Sequence, residues 1–280
     1  MRIGLSLGAG GARGWAHLGV LQALEEEGIR IDLVNGASIG AVVGASYALY
    51  QDTEKMFSLA KQAIDAVNVN YFNTFRHSND GPSFLNNILL EAICDIAALR
   101  SSLVSHKNNI KALEILFGDY EFNDTKIPFS SVATDLISRE LISIRKGRLV
   151  DGVLPSISIP GIFPPVEIDD YLLVDGGVLA NVPVRALRQN GAEFVVAVRL
   201  IDKAKQKFRN GFELLAYLDS LKFNEINKRE LAYADFVIDV DTTGLDGGKF
   251  DGYETAISIG QLETKKRLPE LMERLDRVIK

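Results

Sequence analysis

Gly36-Ala37-Ser38-Ile39-Gly40 places a serine between two glycines, the G-x-S-x-G pattern of a nucleophile elbow. An apolar run precedes it and another follows, so the serine falls on a sharp strand-to-helix turn. Small flanking residues let the backbone bend and leave the hydroxyl exposed. The helix N-terminus behind Ser38 favours developing negative charge. The chemistry this arrangement serves is acyl transfer. A tight glycine turn with a capping serine would leave the same pattern.

A serine hydroxyl attacks a carbonyl only if a base removes its proton. The usual base is histidine, and the chain has three, His17, His77 and His106. A hydrolase triad of the Ser, acid, His order needs a histidine after the acid, and none lies beyond residue 106. His17, between aromatic and aliphatic neighbours in a helical stretch, reads as structural. An aspartate serves as base when burial raises its basicity. Asp175 is the candidate: it ends the apolar stretch 171–174 and is followed by Gly176-Gly177, which permit close approach.

Attack on a carbonyl puts negative charge on its oxygen, and aimed backbone N–H groups stabilise it by about 3 kcal/mol per donor. The segment 8–14, Gly-Ala-Gly-Gly-Ala-Arg-Gly, supplies such donors at Gly10, Gly11, Ala12 and Arg13. Arg13 orients this loop or meets a phosphate. A dinucleotide fingerprint is the rival reading. Gly8 and Gly10 fit G-x-G-x-x-G, but Arg13 stands at the third glycine and Gly14 comes one residue late. Asp32 lies near the acidic position without cleanly ending a strand.

The elements that must carry these residues alternate. Residues 2–7 and 31–35 read as strands, and 16–27 and 39–50 as helices. Gly28 closes the first helix in the C-cap manner. Asp52 caps a further helix through Ala66. Residues 83–99, 105–117 and 184–189 and the stretch from Glu254 onward read as helices. Strands are expected at 129–134, 140–144, 193–200 and 236–240, and 166–168 and 171–174 form a hairpin around Asp169-Asp170. Alternation of this kind gives an α/β fold with mostly parallel central strands. No repeat or linker divides the 280 residues, so one domain is expected. Residues 68–106, with Tyr71, Phe72 and Phe75, are a candidate lid that could touch lipid.

Composition excludes several classes. Hydrophobic residues make up 47% and charged residues 24%, enough for a buried core. The net charge of −6 argues against a nucleic-acid binder, and the basic stretch 203–209 reads as a solvated face. The single cysteine, Cys94, forms no internal disulfide and reads as a packed residue. No signal peptide or spanning segment is evident, so a cytoplasmic protein is expected. Ser58-Leu59-Ala60-Lys61 matches S-x-x-K but lacks its companion motifs. Asp239 to Gly244 resembles the start of a calcium loop, but Phe250 stands where the twelfth-position glutamate belongs.

Together the blocks Gly10-Gly11-Ala12-Arg13, Gly36-Ala37-Ser38-Ile39-Gly40 and Asp175-Gly176-Gly177 resemble, in order and spacing, the patatin-like phospholipase family, especially its compact bacterial members. Ser156 to Pro160 is similar to that family's A-S-x-x-x-P segment, with Pro155 in place of the alanine. The segment Val178 to Pro183 is also family-like. The resemblance implies a three-layer α/β/α sandwich and a Ser38–Asp175 dyad working through an acyl-enzyme. It further implies no metal or cofactor, an acyl-ester substrate such as a phospholipid or lysophospholipid, and transient membrane contact. A thioesterase or acyltransferase using the same dyad, and a membrane-associated scaffold that keeps the fold without catalysis, are the alternatives.

Overall fold

A computed structural model describes residues 1–67, 102, 104–203 and 211–279. Its centre is a sheet whose strands alternate in what they bury. On the strand Phe194–Ile201, Val196 and Val198 enter one apolar cluster, and Val195 and Ala197 enter another on the opposite face. A strand with both faces apolar must be covered on both sides, so helices flank the sheet above and below. This is the α/β/α layering expected from the sequence.

The strands are β1 Ile3–Leu7, β2 Leu33–Gly36, β3 Phe129–Asp135, β4 Leu141–Ile144, β5 Val166–Ile168, β6 Tyr171–Asp175, β7 Phe194–Ile201 and β8 Phe236–Asp241. Their order is β5-β6-β3-β2-β1-β7-β8, with β4 also paired to β3. Strands β3, β2, β1, β7 and β8 run parallel, β4 and β6 each pair antiparallel with β3, and β5 pairs antiparallel with β6. Parallel neighbours require long crossovers. Those from β1 to β2 and from β7 to β8 contain α1 Trp15–Glu26 and α7 Gly211–Leu231. The other described α-helices are α2 Ile39–Tyr50, α3 Thr53–Ala66, α4 Lys107–Phe117, α5 Leu149–Val153, α6 Val184–Gln189 and α8 Tyr253–Ile279.

Register explains how distant segments meet. Residue β3 Ser131 pairs with Gly36 of β2 and with Ile144 of β4, so β2 and β4 occupy opposite edges of β3. Ala133 pairs with Ile142 of β4 and with Asp175 of β6, so β6 also lies opposite β4. Strands β2 and β6 therefore share one edge of β3, end to end. Where β2 stops at Gly36 to turn into α2, β6 takes over the edge and ends at Asp175.

The structure differs from the expected elements in a few places. The second strand begins at Leu33 rather than residue 31, because the Asp32 side chain already accepts the Ile3 N–H at 2.9 Å. Helices α5 and α7 were not anticipated. Along α7, Leu214, Leu218 and Leu221 are exposed, so its apolar pattern does not mark an inward stripe. Asp52 caps α3 as expected, accepting the Lys55 N–H at 2.9 Å. Cys94, His77, Tyr71, Phe72, Phe75, the helix expected at 83–99, and residues 68–101 and 103 of the candidate lid lie outside the described residues, as do 204–209 of the basic stretch.

Candidate active site

Ser38 joins β2 to α2 with φ 54° and ψ −128°, a conformation that non-glycine residues rarely hold. The turn is tight enough that a Cβ at Gly36 would strike the Gly40 carbonyl and one at Gly40 would strike that of Leu7, so both flanking glycines are sterically required. Ser38 is 8% exposed. Its main-chain N–H donates to the Ser156 hydroxyl at 3.0 Å, inside the protein.

Asp175 ends β6 beside this turn and is 6% exposed. Burial pushes its carboxyl up from the ordinary 3.8 to about 6, opposed by hydrogen bonding from the Ser38 side chain and the Gly177 N–H. The Gly177 N–H donates to Oδ1 at 2.7 Å. The Asp175 N–H donates to the Ser158 carbonyl at 3.0 Å. A carboxylate with a pKa near 6 is ionised at neutral pH yet basic enough to take a proton from a hydroxyl.

The glycine loop follows β1. Gly11 to Gly14 form one 3-10 turn leading into α1. Gly11 has φ 58°, and the Ala12 N–H donates to the Gly247 carbonyl at 2.7 Å. Arg13 holds the loop from outside: Nε donates to the Gly10 carbonyl at 3.2 Å and Nη1 pairs with Asp202 at 2.7 Å. Among the two readings of Arg13, orienting the loop is the one its contacts match. With the Ala12 N–H engaged by Gly247 and the Ser38 N–H engaged by Ser156, neither is free to meet an oxyanion in this conformation.

His17 is fully buried in α1, and its Nε2 lies 2.8 Å from the Gly8 carbonyl at the start of the loop. Burial pushes its pKa down to about 4, so the ring is neutral and Nε2 carries the proton donated to Gly8. It is a structural anchor, as its surroundings in the sequence implied. His106 donates its Nε2 proton to the Pro164 carbonyl, 2.8 Å away, and stacks on Phe163.

An apolar cavity of about 210 Å³ opens beside Ser38. Its walls come from α2, α3 and α4 and from the segment after Ser156, with Val42, Met56, Ala63, Leu116, Ile157 and Phe163 among the lining. A hydrocarbon chain placed here would exchange water for aliphatic contacts.

The remaining sequence signals belong to the framework. Asp32 pairs with Arg30 and caps the Ile3 N–H, which removes the residue a dinucleotide ribose would need. Asp239 is held by Arg199 through two bonds of 2.7 Å, and Asp241 by Lys203 at 2.9 Å. Ser58 accepts from Gln62 at the surface. Among the described residues no group of three or more metal-binding side chains converges, and no helix is long and apolar enough to cross a membrane.

The sequence points to Ser38, Asp175 and the loop Gly10 to Arg13, and the fold brings all of them to the end of the sheet where β1, β2 and β6 finish. The sequence does not show the contacts of Ser156, Asp202 and Gly247. Ser156 lies in a segment the sequence did single out, but its contact with Ser38 is 118 residues long-range and leaves no local signal.

A family model described as patatin-like phospholipase matches residues 5–188. An uncharacterized NTE family protein of Mycobacterium tuberculosis is 33% identical over 199 residues, covering 71% of this chain and 49% of that protein. Human patatin-like phospholipase domain-containing protein 6 is 32% identical over 70% of this chain and 13% of its own length. Lysophospholipase NTE1 of Meyerozyma guilliermondii is 30% identical over 70% of this chain and 12% of its own. The chain thus spans about half the length of the mycobacterial relative and far less of the other two. Among solved structures, VipD from Legionella pneumophila shares the fold, with a TM-score of 0.55 at 16% identity over 96% of this chain and 67% of VipD.

Proposed function

The chain belongs to the patatin-like phospholipase family, and from that premise we propose that it is a lipid acyl-hydrolase in which Ser38 is the nucleophile and Asp175 the base. The observation that carries the reading is the position of a strained serine between a desolvated carboxylate and an apolar cavity. One sheet that takes its described strands from Ile3–Leu7 through Phe236–Asp241 supports treating residues 1–280 as one acyl-hydrolase domain.

The substrate acyl chain enters the cavity and its ester carbonyl meets Ser38. Asp175 takes the hydroxyl proton as the Ser38 oxygen bonds to the carbonyl carbon. The resulting oxyanion is stabilised by N–H groups of the Gly10 to Arg13 loop, Gly10 and Gly11 foremost because the Ala12 N–H is held by Gly247. The tetrahedral intermediate collapses, the leaving alcohol takes the proton from Asp175, and an ester of Ser38 remains. Water then gives a proton to Asp175 and attacks that ester. The fatty acid leaves, and the proton returns to Ser38. Phospholipids and lysophospholipids are the substrate class, in keeping with the names of the relatives. Contact with a lipid surface is transient.

The test is hydrolysis of a short-chain p-nitrophenyl ester by wild type, Ser38→Ala and Asp175→Asn, followed by release of fatty acid from micellar phospholipid and lysophospholipid. Activity in the wild type and its loss in both folded variants is expected. Hydrolysis that survives Ser38→Ala sinks the mechanism, and a wild type inactive on every ester favours a non-catalytic scaffold. Thioester cleavage or transfer to an added alcohol by the same two residues would instead identify a thioesterase or acyltransferase.

A further inference from the structure

Ser156 is fully buried, and its hydroxyl oxygen accepts the main-chain N–H of the nucleophile at 3.0 Å. That N–H belongs to the residue with φ 54°, the most strained position of the site. Ser38 is the N-cap of α2, and its own N–H points away from the helix ladder. Without an acceptor it would be a buried, unpaired donor, which favours any backbone rotation that finds it a partner. The hydroxyl of Ser156 supplies that acceptor without supplying any group to the reaction.

The segment carrying Ser156 reaches the other members of the site as well. Its Ser158 carbonyl accepts the Asp175 N–H at 3.0 Å, and Ile157, Ile159 and Phe163 line the cavity. One short stretch therefore touches the backbone of the nucleophile, the backbone of the base, and the wall against which an acyl chain packs.

We propose that Ser156 is a positioning residue for the acyl-transfer reaction, holding the Ser38 backbone in the conformation that presents its hydroxyl to Asp175 and to the ester carbonyl. This rests on the proposed function above. The bond also commits the Ser38 N–H to Ser156, so Ser156 determines that oxyanion stabilisation comes from the glycine loop and not from the nucleophile's own amide. Removing the hydroxyl lets the Ser38 oxygen drift from its attack position while leaving the cavity walls in place. The loss is therefore in kcat, with KM little changed.

The test compares Ser156→Ala with Ser131→Ala, which removes a second buried serine hydroxyl. Ser131 Oγ donates to the Gly152 carbonyl at 2.5 Å and touches neither Ser38 nor Asp175. Soluble ester kinetics, the rate of covalent inactivation by a fluorophosphonate, and the pH profile are read on each. In Ser156→Ala, kcat and the inactivation rate should fall together by roughly 10- to 100-fold, with KM within about twofold and the acidic limb of the profile still near pH 6. Ser131→Ala should keep its kcat within about twofold of wild type.

A folded Ser156→Ala with wild-type kcat overturns the proposal. So does a loss of kcat accompanied by an acidic limb displaced toward the ordinary carboxylate range, because water reaching Asp175 would then be the cause. If Ser156→Ala does not fold, Ser156→Cys, which keeps a small side chain but offers only a weak acceptor, should show the same fall in kcat. Failure here is distinct from failure of the function itself, which shows as activity retained in Ser38→Ala.

Discussion

Asp175 accepts the Gly177 N–H on Oδ1 at 2.7 Å while its carboxyl lies buried against the Ser38 side chain. One short backbone bond is thus all that the following glycine turn offers to offset the desolvation of the carboxylate. Burial outweighs it, and the group titrates near 6 rather than near 3.8.

The rate should carry that signature. If Asp175 must be ionised to accept the Ser38 proton, kcat/KM on a soluble ester rises about tenfold per pH unit below 6 and levels off above it. A pH–rate profile from 4 to 8 checks this. A limb centred near 4 would mean that the working base is a solvated carboxylate.

Stability should show two opposing titrations. The Asp175 carboxyl is harder to ionise in the folded chain, so its stabilising contribution is full below about 3.8 and lost as pH rises through 6. His17 is harder to protonate when folded, so its contribution is full above 6.5 and lost as pH falls through 4. Each is worth on the order of 3 kcal/mol, and the two nearly cancel in wild type. Asp175→Asn removes one of them. Urea unfolding at several pH values should show the variant gaining on wild type by about 3 kcal/mol between pH 4 and pH 7. Parallel pH curves would refute the burial assigned to Asp175.

Strain at Ser38 predicts an order among inactive variants. Ser38→Gly should be more stable than Ser38→Ala by about 1–2 kcal/mol, because only glycine holds a φ of 54° without strain. Glycine normally loses such a comparison through its greater unfolded-state freedom. Chemical denaturation of the two variants decides it, and an alanine variant of equal or greater stability would mean that the turn relaxes.

Arg13 braces the oxyanion loop by gripping Gly10 and Asp202 at once. Arg13→Lys should lose roughly tenfold or more in kcat and resemble Arg13→Ala, because an ammonium does not reproduce a two-point planar grip. Steady-state kinetics on both variants are the check, and full activity in Arg13→Lys would make the charge alone sufficient.

Much of this site can be read along the chain because its parts are local. Gly36 is demanded by the Gly40 carbonyl four residues on, and the loop Gly10 to Arg13 follows directly from β1, whereas Gly40 is demanded by the distant Leu7 carbonyl. The helix Val184–Gln189 and the hairpin around Asp169 are likewise set by short-range patterns. What is not legible is edge sharing. Strand β6 meets Ser38 because β2 ends early along β3, a property of pairings between distant residues, Gly36 with Ser131 and Ala133 with Asp175. The acceptor role of Ser156, the grip of Asp202 on Arg13 and the carbonyl of Gly247 over Ala12 arise the same way. Helix α7 escapes notice because exposed leucines blur its apolar face.

The most direct measurement is the site and rate of covalent modification by a fluorophosphonate, followed by peptide mass mapping in wild type and Asp175→Asn. A Ser38 adduct is predicted, forming at a rate that climbs through pH 6 and falls by about 100-fold or more in Asp175→Asn. An adduct on another residue, or an equal rate in Asp175→Asn, would contradict the pairing of Ser38 with Asp175.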